Sequence, residues 1–90
     1  MKRVRIVVEG RVQGVGFRWF VQQTARTFDV LGWVKNNPNG TVEIVAEGKK
    51  ASVDEFATAV KDGPISAMVT NFTISEEPPK DDFANFRIIH

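Results

Sequence analysis

Cysteine is absent from the 90 residues and histidine occurs once, at His90. Without cysteine there is no disulfide, no zinc–thiolate site and no phosphocysteine intermediate. A single histidine with no cysteine leaves neither a Ser-His-Asp nor a Cys-His arrangement to build, and its place at the chain end suggests an exposed residue. No apolar run is long enough for a transmembrane helix. Met1-Lys2-Arg3 leads into an alternating strand, so a signal peptide is not expected. A net charge of +1 excludes nucleic-acid binding driven by overall electrostatics. Together with the chain length, these absences point to one compact cytoplasmic domain spanning residues 1–90.

The charge that is present is unevenly placed. Residues 1–26 hold six Lys or Arg against the single Glu9, and residues 27–90 hold six against ten acids. The basic end carries Gly10-Arg11-Val12-Gln13-Gly14-Val15-Gly16-Phe17-Arg18. It is not a Walker loop, because no Gly-Lys-Ser/Thr follows. It is not a dinucleotide fingerprint either, because position 19 is Trp where a third glycine would stand. Its glycines reach φ > 0 and let backbone N–H groups converge. The start of the next helix adds unpaired donors and partial positive charge. Arg18 adds a full charge and a planar fork of donors suited to phosphate oxygens. The stretch is shaped to hold a small anion, a phosphoryl group above all.

Periodicity supplies the rest of the framework. Val4, Ile6 and Val8 alternate as a half-buried strand. Phe17, Phe20, Val21, Ala25 and Phe28 recur at helical spacing, and this helix is expected to end near Val30-Leu31-Gly32. Trp33 to Asn36 reads as a second strand, with Trp33 as core, before the turn Asn37-Pro38-Asn39-Gly40. A third strand turns Val42, Ile44 and Ala46 inward. Ser52-Val53-Asp54-Glu55 has capping-box spacing, Val53, Phe56, Ala57 and Val60 line the helix it would open, and Gly63-Pro64 stops it. Val69, Phe72 and Ile74 mark a fourth strand, and Phe86 to Ile89 a short last one. The order βαββαβ plus a terminal strand predicts an α+β, ferredoxin-like two-layer sandwich, with two helices on one face of an antiparallel sheet.

That topology brings Asn36 back to the edge that holds the glycine loop. On strand alternation it shares the helix-facing side with Val34, so Arg18 and Asn36 are expected to be neighbours. Asn37 and Asn39 can serve the turn and leave Asn36 free. An amide positions water and stabilises charge but cannot act as a general base. The adjacent acids Asp54-Glu55, Glu76-Glu77 and Asp81-Asp82 diverge in helix or loop, so no metal site is expected.

These residues also resemble a known family. Val8 through Arg18 is similar to the first signature of the acylphosphatases. Gly32-Trp33-Val34-Lys35-Asn36, with Gly40, Val42 and Gly48 at the expected intervals, is similar to their second. The resemblance spans essentially the whole chain, with Asn37 where the family often has threonine and Met68 where a basic residue is frequent. It implies hydrolysis of a small acyl phosphate to carboxylate and inorganic phosphate, with no cofactor or metal. By position it makes Arg18 the phosphate-binding arginine and Asn36 the residue that orients water. The phosphate-binding loop then comprises Arg11, Val12, Gln13, Gly14, Val15 and Gly16, acting through backbone amides. A monomer with no nucleic-acid or membrane partner is expected.

Two other classes share the framework. One is a regulatory module that binds acyl or carbamoyl phosphate. The other is a nucleic-acid-binding domain, which would need aromatics on the exposed sheet face; strands one and three are expected to show Arg3, Arg5, Val7, Thr41, Glu43, Val45 and Glu47 there instead.

Overall fold

The computed structural model describes residues 1–90. The elements are β1 (Lys2–Arg11), α1 (Phe17–Thr27), β2 (Leu31–Asn36), β3 (Val42–Gly48), α2 (Lys50–Asp62), β4 (Met68–Glu77) and β5 (Phe86–Ile89). The five strands form one sheet in the order β4-β1-β3-β2-β5. Neighbours are antiparallel except β2 and β5, which run parallel. The sheet is therefore mixed, not antiparallel throughout as the element order suggested. β4 runs toward the end of the sheet where β2 begins, so a chain crossing there to the far edge enters β5 in the direction of β2.

Strand alternation sorts the two faces. Val4, Ile6 and Val8 of β1, Val34 of β2, and Val42, Ile44 and Ala46 of β3 are fully buried on one side. Phe17, Val21 and Ala25 of α1 and Val53, Phe56, Ala57 and Val60 of α2 close over them in a single apolar cluster. Both helices thus cover the same face, and their apolar stripes are the ones the 3.6-residue spacing marks. None of the helices is long and apolar enough to cross a membrane.

Local boundaries depart from expectation in three places. α1 ends at Thr27 because Asp29 adopts φ 59, a left-handed conformation that Asp tolerates, and reverses the chain. Val30 N–H then reaches back to the Ala25 carbonyl, and β2 begins at Leu31 instead of Trp33. α2 opens at Lys50 with Lys49 as its cap residue and no side-chain cap, so Ser52 lies inside the first turn and the capping box does not form. Asp54 is engaged by Lys2 and Lys50 instead, each at 2.8 Å.

The sheet face away from the helices is not a plain solvated surface. Trp33 lies on this face, opposite Val45, and not in the helix-side core. The Arg5 guanidinium stands 5.8 Å and the Lys35 ammonium 5.4 Å from its ring centre. Arg3 is only 6% exposed. It contacts Glu47, Glu77 and Asp82 and lies 4.8 Å from the Phe83 ring centre. The Glu47 carboxylate, itself 2% exposed, accepts the Lys80 and Asp81 backbone N–H groups at 3.0 and 2.7 Å. This clamp fixes the crossing between β4 and β5.

The same network predicts an acid response. Glu77 accepts from Arg5 Nε at 2.7 Å and Arg3 Nε at 3.3 Å. The hydrogen bond from Arg5 first, and that from Arg3 after it, hold its carboxyl below the usual range. A carboxyl with a lowered folded pKa contributes stability above its unfolded value, about 4.3, and loses it as pH falls through the folded value. The thermal midpoint is expected to fall below about pH 4, and Glu77→Gln to flatten part of that fall. Calorimetric scans of both proteins across this range check it.

Candidate active site

One end of the sheet collects the carboxyl ends of β1, β2 and β5 together with the amino end of α1. β1 reaches it through a bulge at Glu9/Gly10. Gly10 belongs to this strand, not to the loop: its φ is 125, and a Cβ there would lie 2.2 Å from the Met68 carbonyl oxygen of β4. The loop proper is 12–16. Gly14 and Gly16 take φ 74 and 77, with open space around both. They are required by the backbone turn, not by crowding.

Gly16 is the N-cap of α1, supplies no side-chain cap, and no acid stands in the first turn. Phe20 N–H is satisfied by the Gly16 carbonyl at 3.0 Å. The N–H groups that precede it receive no side-chain acceptor from the cap residue. Such an end carries free donors and partial positive charge.

The loop is held from two sides. The Gln13 side-chain amide donates to the carbonyls of Asn37 and Thr41, both at 2.9 Å. It straps the loop to the turn between β2 and β3. Ser66 Oγ donates to the Val15 carbonyl at 2.8 Å. The turn is itself closed by Gly40 N–H to the Asn37 carbonyl at 3.1 Å and Thr41 N–H to Asn39 Oδ1 at 3.1 Å. Asn37 Nδ2 bonds Thr41 Oγ1 and the Glu43 carboxylate. Asn37 and Asn39 are thus spent on the turn.

Asn36 is not. Its Oδ1 is buried without a hydrogen-bond partner. Asn36 lines a cavity of about 210 Å³ together with Arg18, Gly14, Gly16 and Val12, which brings the two sequence-predicted side chains to one place. Of the loop residues, Arg11 lies exposed as the last residue of β1, Gln13 acts as the strap, and Val15 packs against the core. These three do not line the cavity.

The remaining lining residues were not marked by the sequence: Phe17, Trp19, Ile88 and His90. His90 is exposed as expected but does not hang free, since its Nδ1 lies 3.3 Å from Arg18 Nη1. The register explains it: Val34 pairs with Ile88 and Lys35 with Ile89, so the next step sets His90 beside Asn36. Gln22 of α1 fastens β5 by donating to the Phe86 carbonyl at 3.1 Å. No group of three or more His, Cys, Asp and Glu side chains converges on a common point. Larger hollows exist, the largest of about 580 Å³ between α1 and β5, but none of them contains Arg18 or Asn36.

A model of the acylphosphatase family matches residues 4–88. The chain belongs to the acylphosphatase family. It is 46% identical over 90 residues to the acylphosphatase of Geobacillus thermodenitrificans, covering all of this chain and 96% of that one. The crystal structure of acylphosphatase from Bacillus subtilis superposes with a TM-score of 0.96 at 43% identity, over the whole of both chains. An acylphosphatase from Coxiella burnetii gives 0.92 at 35% identity, over 98% of this chain and 92% of that one. Family and fold agree with the expectation drawn from the two signatures, and the ferredoxin-like α+β architecture is shared with both solved structures.

In this acylphosphatase fold the Gln13 strap ties the loop to the turn that follows Asn36. Gln13→Ala is expected to lower stability by about 1–2 kcal/mol, the worth of two ordinary hydrogen bonds. It is also expected to raise KM more than it lowers kcat. Thermal unfolding beside steady-state kinetics checks both.

Proposed function

We propose that the chain hydrolyses small acyl phosphates in the cavity shared by Arg18 and Asn36. The observation that carries this reading is the buried, unpartnered Asn36 Oδ1, in one cavity with Arg18 and the uncapped start of α1. Arg18 and the backbone N–H groups of the loop where it lines the cavity, at Val12, Gly14 and Gly16, bind the phosphoryl oxygens. Asn36 Oδ1 accepts a hydrogen bond from the attacking water. The water oxygen bonds to phosphorus as the bond from phosphorus to the acyl oxygen breaks, and the carboxylate departs with the electron pair. A phosphoryl oxygen takes the water's proton.

This chemistry needs little equipment. A carboxylate leaving group has a conjugate-acid pKa of about 4 and departs without a general acid. Phosphoryl transfer then rests on placement and on charge stabilisation over the phosphoryl oxygens. Both are within reach of one arginine, a row of amides and one asparagine.

The proposal extends to a single domain over residues 1–90, acting as a cytoplasmic monomer without a nucleic-acid partner. Light scattering and fractionation test the state and the location. Hydrolysis of benzoyl phosphate by the purified protein, compared with a variant lacking both Arg18 and Asn36 side chains, tests the site. Equal rates from the two proteins would refute it.

A further inference from the structure

The single histidine of the chain lines the cavity that holds Arg18 and Asn36. Its place follows from the strand pairing. β5 runs parallel to β2, with Val34 opposite Ile88 and Lys35 opposite Ile89. Side chains alternate along a strand. His90 therefore follows Ile88 onto the helix-facing side, as Asn36 follows Val34. Gln22, one helical turn after Arg18, holds β5 in this position through the Phe86 carbonyl.

The contact with Arg18 identifies the protonation state of the ring. His90 Nδ1 lies 3.3 Å from Arg18 Nη1. A guanidinium only donates, so Nδ1 accepts and carries no proton. The ring in this contact is the neutral tautomer, with its hydrogen on Nε2. Adding a proton at Nδ1 turns the acceptor into a donor, breaks the contact and brings a second positive charge into the cavity. Imidazole is the one lining side chain whose ordinary titration falls between about pH 5 and 8. The residue is exposed and exchanges protons freely with solvent.

The charges that face the ring decide what this proton does. Arg18, from α1, opposes it. Asn36, from β2, is neutral, the loop contributes Val12, Gly14 and Gly16, and no Asp or Glu lines the cavity. Lys35 alternates to the other sheet face, against the Trp33 ring. The terminal carboxylate belongs to His90 itself and is common to every ligand state. Without an anion, Arg18 thus disfavours the imidazolium. With a phosphoryl dianion between them, both cations donate to it.

We infer that His90 is a second anion-binding group of the site, neutral and bonded to Arg18 before an anion enters, protonated and donating to the phosphoryl oxygens once it is bound. The inference rests on the phosphate-binding role proposed for Arg18. Its consequence has a direction. A bound dianion favours the protonated ring, so by linkage the affinity for dianions rises as pH falls through the imidazole range. An opposite charge within about 4–6 Å favours the charged form by about tenfold or more, and the gain in affinity has the same size.

Sulfate is the probe, because it is tetrahedral and keeps both negative charges over the pH range in which imidazole titrates, whereas inorganic phosphate does not. Its inhibition of benzoyl phosphate hydrolysis is measured between about pH 5.5 and 8, at fixed ionic strength, in the native protein, His90→Gln and His90→Lys. The native protein is expected to be inhibited about tenfold more strongly at the acid end. His90→Gln, whose amide oxygen still accepts from Arg18, should lose this slope. His90→Lys, charged throughout, should bind sulfate strongly at both ends. Calorimetry in two buffers of different ionisation heat should show proton uptake with sulfate in the native protein and none in His90→Gln. A slope retained in His90→Gln would overturn the inference, as would a weakening by one factor at every pH, the mark of a ring that only positions Arg18. Arg18→Gln run alongside separates the two readings. Native-level hydrolysis by that variant, or no competition by sulfate in the native protein, removes the phosphate site and this role with it. Loss of sulfate inhibition in Arg18→Gln beside a flat native profile keeps the site and removes His90 from it.

Discussion

Arg18→Gln is expected to cut kcat/KM by at least about 10²-fold, the scale for losing one donor aimed at developing charge. Glutamine keeps the length and a hydrogen-bonding end but removes the charge and the planar fork. What remains is the row of loop amides and the uncapped end of α1, which binds anions weakly without a formal countercharge. Inhibition by inorganic phosphate should weaken in parallel, because product and substrate use the same oxygens. Folding should be nearly untouched. Arg18 forms no salt bridge in the structure and its one side-chain partner is His90 at 3.3 Å, so the stability change should stay within about 0.5 kcal/mol. Arg18→Lys restores charge without the fork and should recover only part of the loss. Steady-state kinetics with benzoyl phosphate, phosphate inhibition constants and a melting curve for each variant decide the matter. Full activity in Arg18→Gln would reassign the phosphate site.

Much of this arrangement is legible in the sequence. Val4, Ile6 and Val8 announce a strand with one buried face because side chains alternate with period two. Phe17, Val21 and Ala25 announce a helix by the 3.6-residue period. The nearness of Arg18 and Asn36 followed from topology alone, since β1, α1 and β2 must return to the same sheet edge. What stayed hidden depended on pairing across long separations. The parallel docking of β5 against β2 sets His90 beside Asn36, and nothing local to residues 86–90 specifies that neighbour. Arg3 looked like a solvated strand residue, yet its burial is created by Glu47, Asp82 and Phe83 from distant segments. Trp33 looked like core by hydrophobicity. Alternation about the buried Val34 assigns it to the other face, where Arg5 and Lys35 lie against it. The capping box failed for a local reason: Gly48 ends β3 and the chain enters α2 at Lys50, before Ser52 can act as a cap.

Asn36→Ala is expected to reduce turnover by about 10³-fold while leaving inorganic phosphate binding close to native. The two readouts separate because, in the proposed mechanism, Arg18 and the loop amides hold the phosphoryl group and Asn36 acts on water. The stability effect carries the sharper information. A structural asparagine that satisfied the turn would cost the fold when removed. Here Asn37 and Asn39 already close that turn, and Asn36 Oδ1 is a buried acceptor without a partner in the protein. Its removal deletes no hydrogen bond within the protein and costs only the packing of a truncated, partly buried side chain. The variant should therefore stay within about 1 kcal/mol of the native protein in stability, an inactive but well-folded enzyme. Asn36→Asp keeps the shape but sets a carboxylate beside the bound phosphate, so it should lose turnover and phosphate affinity together. Kinetics, phosphate inhibition and unfolding midpoints on the three proteins form the test. A large loss of stability in Asn36→Ala, with turnover falling only in proportion to the unfolded fraction, would make Asn36 a structural residue and leave the water without its acceptor.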